Sequence, residues 1–267
     1  MKKISLILLA AVFLLSACSK AVQSPAHAGH QGGDSEHIAD DTQAVFQAAD
    51  LVKAKQDAQL NIQINGKDGK PIDQFDLNHE KKMHLIAVSK DLSFYRHLHP
   101  EYKGNGLFTI TTQFPAGGEY RLFADYVPSG KAQTVKNDTL KVQGDAPQAA
   151  VLQAETTWVK TVEGNVVTLS FDHLMAGMEV SLNYTIKDAR TGSPVKDLQP
   201  YLGAVGHVVI LDESATQYLH VHPTDEKSTG PEATFKTTFP KSGTYKVWGE
   251  FQRSGKVITV PFVVKVP

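Results

Sequence analysis

One pattern occurs twice in this chain and constrains what the rest can fold into. From Met83 the sequence runs Met-His-Leu-Ile-Ala-Val-Ser-Lys-Asp-Leu-Ser-Phe-Tyr-Arg-His-Leu-His-Pro, ending at Pro100. From Gly206 it runs Gly-His-Val-Val-Ile-Leu-Asp-Glu-Ser-Ala-Thr-Gln-Tyr-Leu-His-Val-His-Pro, ending at Pro223. In each copy a His is followed thirteen residues later by a second His, and two residues further on by a third. The first triad is His84, His97 and His99; the second is His207, His220 and His222. Tyr95 and Tyr218 each stand two residues before the close pair. Six of the eleven histidines fall into these two superimposable sets.

The similarity continues well outside the triads. Gly69-Lys70-Pro71-Ile72 matches Gly192-Ser193-Pro194-Val195 at the same offset of 123. Phe114-Pro115-Ala116-Gly117-Gly118-Glu119-Tyr120 matches Phe239-Pro240-Lys241-Ser242-Gly243-Thr244-Tyr245 at an offset of 125. Phe123-Ala124-Asp125-Tyr126 matches Trp248-Gly249-Glu250-Phe251. A repeat this long is a duplicated domain, and 267 residues leave room for two domains of roughly 100 residues plus extra segments.

The repeated unit reads as β-structure. Leu60-Asn61-Ile62-Gln63-Ile64 alternates apolar and polar, the period of a half-buried strand. Residues 83–88 form a nearly all-apolar strand with 95–99 as its hairpin partner, and 107–114, 119–126 and 134–142 are rich in Thr, Phe, Tyr and Val. The second copy repeats the plan at 166–171, 180–186, 205–211, 217–222, 234–239, 245–252 and 257–266. No segment keeps a helical period, although 45–58 has room for a short helix. Short strands separated by turns every 8–12 residues predict an antiparallel β-sandwich in each copy. The expected plan is domain one over residues 44–144 and domain two over 145–267.

The triads carry the chemistry. Side chains at i and i+2 of a strand share a face, so His97 and His99 point the same way, as do His220 and His222. If the hairpin pairs residue 84 with 97 or with 99, the third imidazole joins that face about 5 Å away. The same face carries Ile86 and Val88 in the first copy and Val209 and Leu211 in the second. An all-His cluster suits Cu(II), Zn(II) or Ni(II), with copper favoured by intrinsic affinity. Binding requires neutral imidazoles, which predicts affinity falling as pH drops through about 6.5. The competing reading is structural: semi-buried histidines bonded to one another or to Tyr95 and Tyr218. In that case tandem sandwiches serve as a non-enzymatic adhesion or assembly module. A loop holding His173, Met175 and Met178 offers thioethers alongside imidazole, but such loops more often just pack.

No nucleophile elbow, carboxylate pair or phosphate loop stands out, so no enzyme is expected. The net charge of -1 gives no basic field for nucleic acid. The single cysteine, Cys18, excludes an intrachain disulfide.

The start of the chain accounts for that cysteine. Met1-Lys2-Lys3, an apolar run from Ile4 to Leu15, and then Leu15-Ser16-Ala17-Cys18 resemble a bacterial lipoprotein signal peptide with its lipobox. The resemblance implies cleavage after residue 17, lipidation of Cys18 (palmitate-type acylation), and an extracytoplasmic protein anchored to the bacterial cell membrane. Residues 18–43 then read as a flexible tether, poor in large apolar side chains. Its His27, His30 and His37 are weaker candidate ligands.

The blocks His-Leu-Ile-Ala-Val-Ser-Lys-Asp-Leu, Tyr-Arg-His-Leu-His-Pro and Tyr-Leu-His-Val-His-Pro resemble those of bacterial extracytoplasmic lipoproteins close in character to YtkA-like domains. Tyr120 and Tyr245, each just after a Gly turn, resemble the tyrosine corner of immunoglobulin-like folds. The resemblance implies tandem immunoglobulin-like sandwiches in an all-β chain and a context of copper or heavy-metal handling, with a metal transporter or another envelope protein as partner.

Overall fold

The computed structural model describes residues 41–48 and 50–267. Cys18, His27, His30 and His37, with the expected signal peptide and most of the tether, lie outside the described residues. Every regular element described is a β-strand, and no helix there is long and apolar enough to cross a membrane.

The first copy contributes β1 (Thr42–Ala48), β2 (Asp57–Gly66), β3 (Phe75–Asp76), β4 (Met83–Ser89), β5 (Tyr95–Leu98), β6 (Glu101–Gly104), β7 (Leu107–Gln113), β8 (Gly118–Pro128) and β9 (Thr134–Val142). One sheet has the order β1-β2-β7-β6. The other has the order β3-β8-β4-β5, with β9 also paired to β8. The second copy contributes β10 (Val159–Val162), β11 (Asn165–Phe171), β12 (Glu179–Asp188), β13 (Gly206–Asp212), β14 (Tyr218–Val221), β15 (Glu232–Thr238), β16 (Gly243–Arg253) and β17 (Lys256–Val266). Its sheets are β10-β11-β12-β15 and β14-β13-β16-β17. All strand pairs are antiparallel, so each copy is a two-sheet sandwich.

The described residues of the stretch with room for a helix, 45–58, are not helical. β1 pairs with β2 along its whole length, from Thr42 opposite Gly66 to Ala48 opposite Leu60. Ala44, Phe46 and Ala48 lean on the core while Gln43, Val45 and Gln47 face out. That is a period of two, and a sheet edge needing a partner overrides a weak helical preference. β1 also begins at Thr42, two residues inside the stretch expected to be tether.

Each sandwich closes on its own core. Ile62, Ile64, Phe108, Phe114 and Tyr126 anchor the first; Tyr184, Phe235, Phe239, Phe251 and Phe262 anchor the second. The two tyrosine corners close as expected. Tyr120 donates its hydroxyl to the Ala116 carbonyl (2.9 Å) and Tyr245 to that of Lys241 (2.8 Å).

β4 and β13 are apolar along most of their length because both of their faces are covered. Leu85 and Ala87 point into the first core, and Val208 and Ile210 into the second. Their alternate residues meet in a third cluster between the copies. It is built from Ile86, Val88, Leu92 and Phe123 on one side and Val209, Leu211, Ala215 and Trp248 on the other. These eight are four repeat-equivalent pairs, so the two copies face each other through the same surface, like an isologous dimer joined in one chain. Lys246 reaches over this interface to donate to the Leu92 carbonyl (2.7 Å).

A candidate metal centre between the two copies

The hairpin register decides where the histidines go. Leu85 pairs with Leu98 and Ile86 with His97, which carried one step further sets His84 opposite His99. In the second copy Val208 pairs with Val221 and Val209 with His220, setting His207 opposite His222. The neighbouring strand on the other side adds a carboxylate in each copy. His84 lies opposite Asp125 of β8, and His207 opposite Glu250 of β16. All four of these central residues are buried.

The carboxylates do not serve the histidines of their own copy alone. His97 Nδ1 donates to Glu250 Oε2 at 2.6 Å, and His220 Nδ1 donates to Asp125 Oδ2 at 2.9 Å. Each acid of one sandwich thus orients a histidine of the other. Tyr95 and Tyr218 bond the same acids, at 3.1 Å to Glu250 and 3.3 Å to Asp125. Each tyrosine also stacks across the boundary: Tyr95 on Trp248 (4.7 Å, 16°) and Tyr218 on Phe123 (5.1 Å, 16°). Gln133 donates twice to Asp125, at 2.7 and 2.9 Å. Neither acid has a Lys or Arg partner among the described residues. Two carboxylates are therefore buried without a fixed cation, which is costly unless something positive completes the site.

The inner nitrogens of the imidazoles face one another. A carbonyl or carboxylate can only accept, so the nitrogen facing it carries the proton. His84 Nε2 donates to the Asn78 carbonyl (2.8 Å), and His207 Nε2 to that of Tyr201 (3.1 Å). With the outer nitrogens of His84 and His97 both protonated, their inner nitrogens, His84 Nδ1 and His97 Nε2, lie 2.9 Å apart and are two lone pairs whenever both rings are neutral. That contact is repulsive without a proton or cation between them. On His84 a proton is disfavoured: burial, and then the charge of His97, holds it down to about 4. The remaining inner nitrogens, His99 Nε2, His207 Nδ1, His220 Nε2 and His222 Nε2, are buried and have no partner.

Burial, followed by neighbouring histidines, lowers His99 and His222 to about 2 and holds His207 and His220 well below the usual range. Burial pushes the Asp125 carboxyl up, against the Gln133 amide that lowers it. Near neutral pH His84, His99, His207, His220 and His222 are therefore neutral, the form that ligates metals. Residues and chemistry fit a bound metal ion.

Two groups bring three ligand nitrogens within 4.8 Å of one another. The first is His84, His97 and His99, the triad expected from sequence. The second is His79, His207 and His222, so the expected set of His207, His220 and His222 is not the one brought together most closely. His220 stands between the groups, its ring 5.1 Å from His84, 5.5 Å from His207 and 4.7 Å from His222. His79 gave no sequence signal because the repeat has Leu202 in its place. Asp125 and Glu250 did leave a signal, as the matched acids of Phe-Ala-Asp-Tyr and Trp-Gly-Glu-Phe. Reading them as ligand-orienting groups needed the facing of the two copies. The loop with Met175 and Met178 leaves both thioethers about half exposed, with His173 beside Asp172.

Comparison with known proteins adds the family. Among solved structures, a two-domain fibronectin type III segment of chicken tenascin matches 83% of this chain and 98% of its own at 14% identity, with a TM-score of 0.24. Escherichia coli alpha-2-macroglobulin matches 85% of this chain over 20% of its own at 16% identity and a TM-score of 0.30. A Corynebacterium diphtheriae protein described as membrane anchored matches 86% of this chain and 60% of its own at 11% identity and a TM-score of 0.27. Scores this low carry no argument. None of the curated proteins matches. A family model, the domain of unknown function DUF8832, matches twice, over residues 37–144 and 160–267, and this chain belongs to that family.

Proposed function

We propose that this chain is a membrane-anchored extracytoplasmic protein that binds a transition metal between its two sandwiches and buffers it or hands it to an envelope partner such as a metal transporter. Copper is the first choice, since a neutral all-imidazole donor set binds Cu(II) more tightly than Zn(II) or Ni(II). The role is binding, without catalysis. The observation that carries this reading is the set of inward-facing imidazole nitrogens, two of them 2.9 Å apart and four buried without a partner. The outer nitrogens of His84, His97, His207 and His220 are each held by an acceptor. A carboxylate or carbonyl behind a histidine is what orients a metal ligand and raises its basicity. The anchoring part rests on the lipobox around Cys18.

The test is a titration of the full chain in detergent, with His27, His30 and His37 replaced by Ala so that the tail adds no sites. Two equivalents of Cu(II) retained through dialysis are expected. No retention of Cu(II), Zn(II) or Ni(II) at micromolar concentration would leave the histidines as structural groups of an adhesion or assembly module.

A further inference from the structure

The two triads are copies in sequence but not in surroundings. The turn over residues 78–81 closes with Asn78 opposite Lys81, and its repeat closes with Tyr201 opposite Ala204. Asn78 and Tyr201 do the same work in both copies, each offering its carbonyl to the first histidine of its triad. One residue further on, the copies part. His79 and Leu202 share a left-handed backbone, with φ of 46° and 53°, but only the first copy carries an imidazole there. That ring lies against the other copy's triad, 3.8 Å from His222 and 4.9 Å from His207 between centroids. The partnerless nitrogens of His207 and His222 are therefore met by a third nitrogen from the opposite sandwich.

We propose that the second metal site is shared between the sandwiches, with His79 as its third ligand in place of His220, so that the metal there clasps one copy to the other. This rests on the metal-binding reading above. The first site differs, since His84, His97 and His99 all come from one copy. A metal in the first site is held by one sandwich and a metal in the second by both. The duplicated domain thus has one site that belongs to a unit and one that exists only when two units are docked.

The experiment uses the full chain with the three tail histidines replaced by Ala, titrated with Cu(II), and followed by hydrogen exchange with and without Zn(II). His79→Leu installs the residue that the second copy already tolerates at this φ. His79→Asn, suited to left-handed backbone, gives the same reading if the Leu variant fails to fold. Both variants are expected to lose one of two equivalents, or to bind the second at least tenfold more weakly, while His220→Ala keeps two. In the parent chain Zn(II) is expected to slow exchange over residues 90–94, the turn that Lys246 holds across the interface, and His79→Leu is expected to abolish that slowing. If both His79 variants keep two equivalents at unchanged affinity and His220→Ala loses one, the site is contained in the second copy and the inference is wrong, with metal binding intact. Zn(II) without effect on exchange in the parent chain overturns the clasp. A parent chain that binds no metal overturns both readings.

Discussion

Glu250 holds His97 from the opposite sandwich, its carboxylate oxygen 2.6 Å from Nδ1. The histidine belongs to the first copy and the acid to the second. The geometry of the first triad therefore depends on domain docking even though its three histidines come from one copy. Asp125 returns the relation to His220 at 2.9 Å.

Glu250→Gln keeps the shape and an acceptor but removes the charge. It is expected to weaken metal binding at His84, His97 and His99 by about 10–100-fold, the usual cost of losing a ligand's supporting carboxylate. Asp125→Asn acts on His220, a ligand of neither site, and is expected to leave both affinities unchanged. Competition titration against a chelator of known affinity reads both. An unchanged affinity in Glu250→Gln would separate the acid from the metal.

The metal-free protein is expected to lose stability on acidification from pH 6.5 downward. An unfolded chain takes up protons on His84, His99 and His222 near pH 6.5, whereas the folded one holds His84 down to about 4 and the others to about 2. Between those limits the unfolded state binds more protons, so stability falls with pH, by at most about 1.4 kcal/mol per pH unit for each histidine. Asp125, pushed upward by burial, works in the opposite direction at the acid end. Metal binding at His79, His207 and His222, all held below the usual imidazole range by burial, should persist below 6.5. Urea unfolding at pH 7, 6 and 5 checks the first statement, and a midpoint independent of pH would contradict it.

Tyr120→Phe and Tyr245→Phe each remove one hydroxyl donated to a carbonyl four residues upstream. Each is expected to cost about 1 kcal/mol, the net value of one such bond. Denaturant unfolding of the single variants measures it, and metal stoichiometry should stay at the parent value.

Cys18→Ser is expected to release the protein from the membrane fraction or leave it unprocessed. Fractionation and mass analysis decide this. A variant as mature and as membrane-bound as the parent would remove the lipobox from the account.

Much of the fold was legible because it is local and repeated. The alternation of Leu60, Ile62 and Ile64, the Gly turn before each corner tyrosine, and the matched hairpins with their His-x-His pairs all state their geometry within a dozen residues. The strands that escaped notice were β1, β3, β6 and β10. β3 has only two residues, and β6 and β10 have four each, too few to show a period. β1 carries small or polar side chains at most positions.

By itself, the sequence determined that two β-sandwiches would each bring three histidines to one sheet face, because strand periodicity and hairpin spacing set which side chains share a face. Only the tertiary structure decided that the two faces meet. Ile86 and Val88 must leave water, and the surface that best covers them is their own repeat, Val209 and Leu211. That docking places Glu250 behind His97, Asp125 behind His220 and His79 beside His222. None of these contacts spans fewer than 90 residues, so no local pattern could have encoded them.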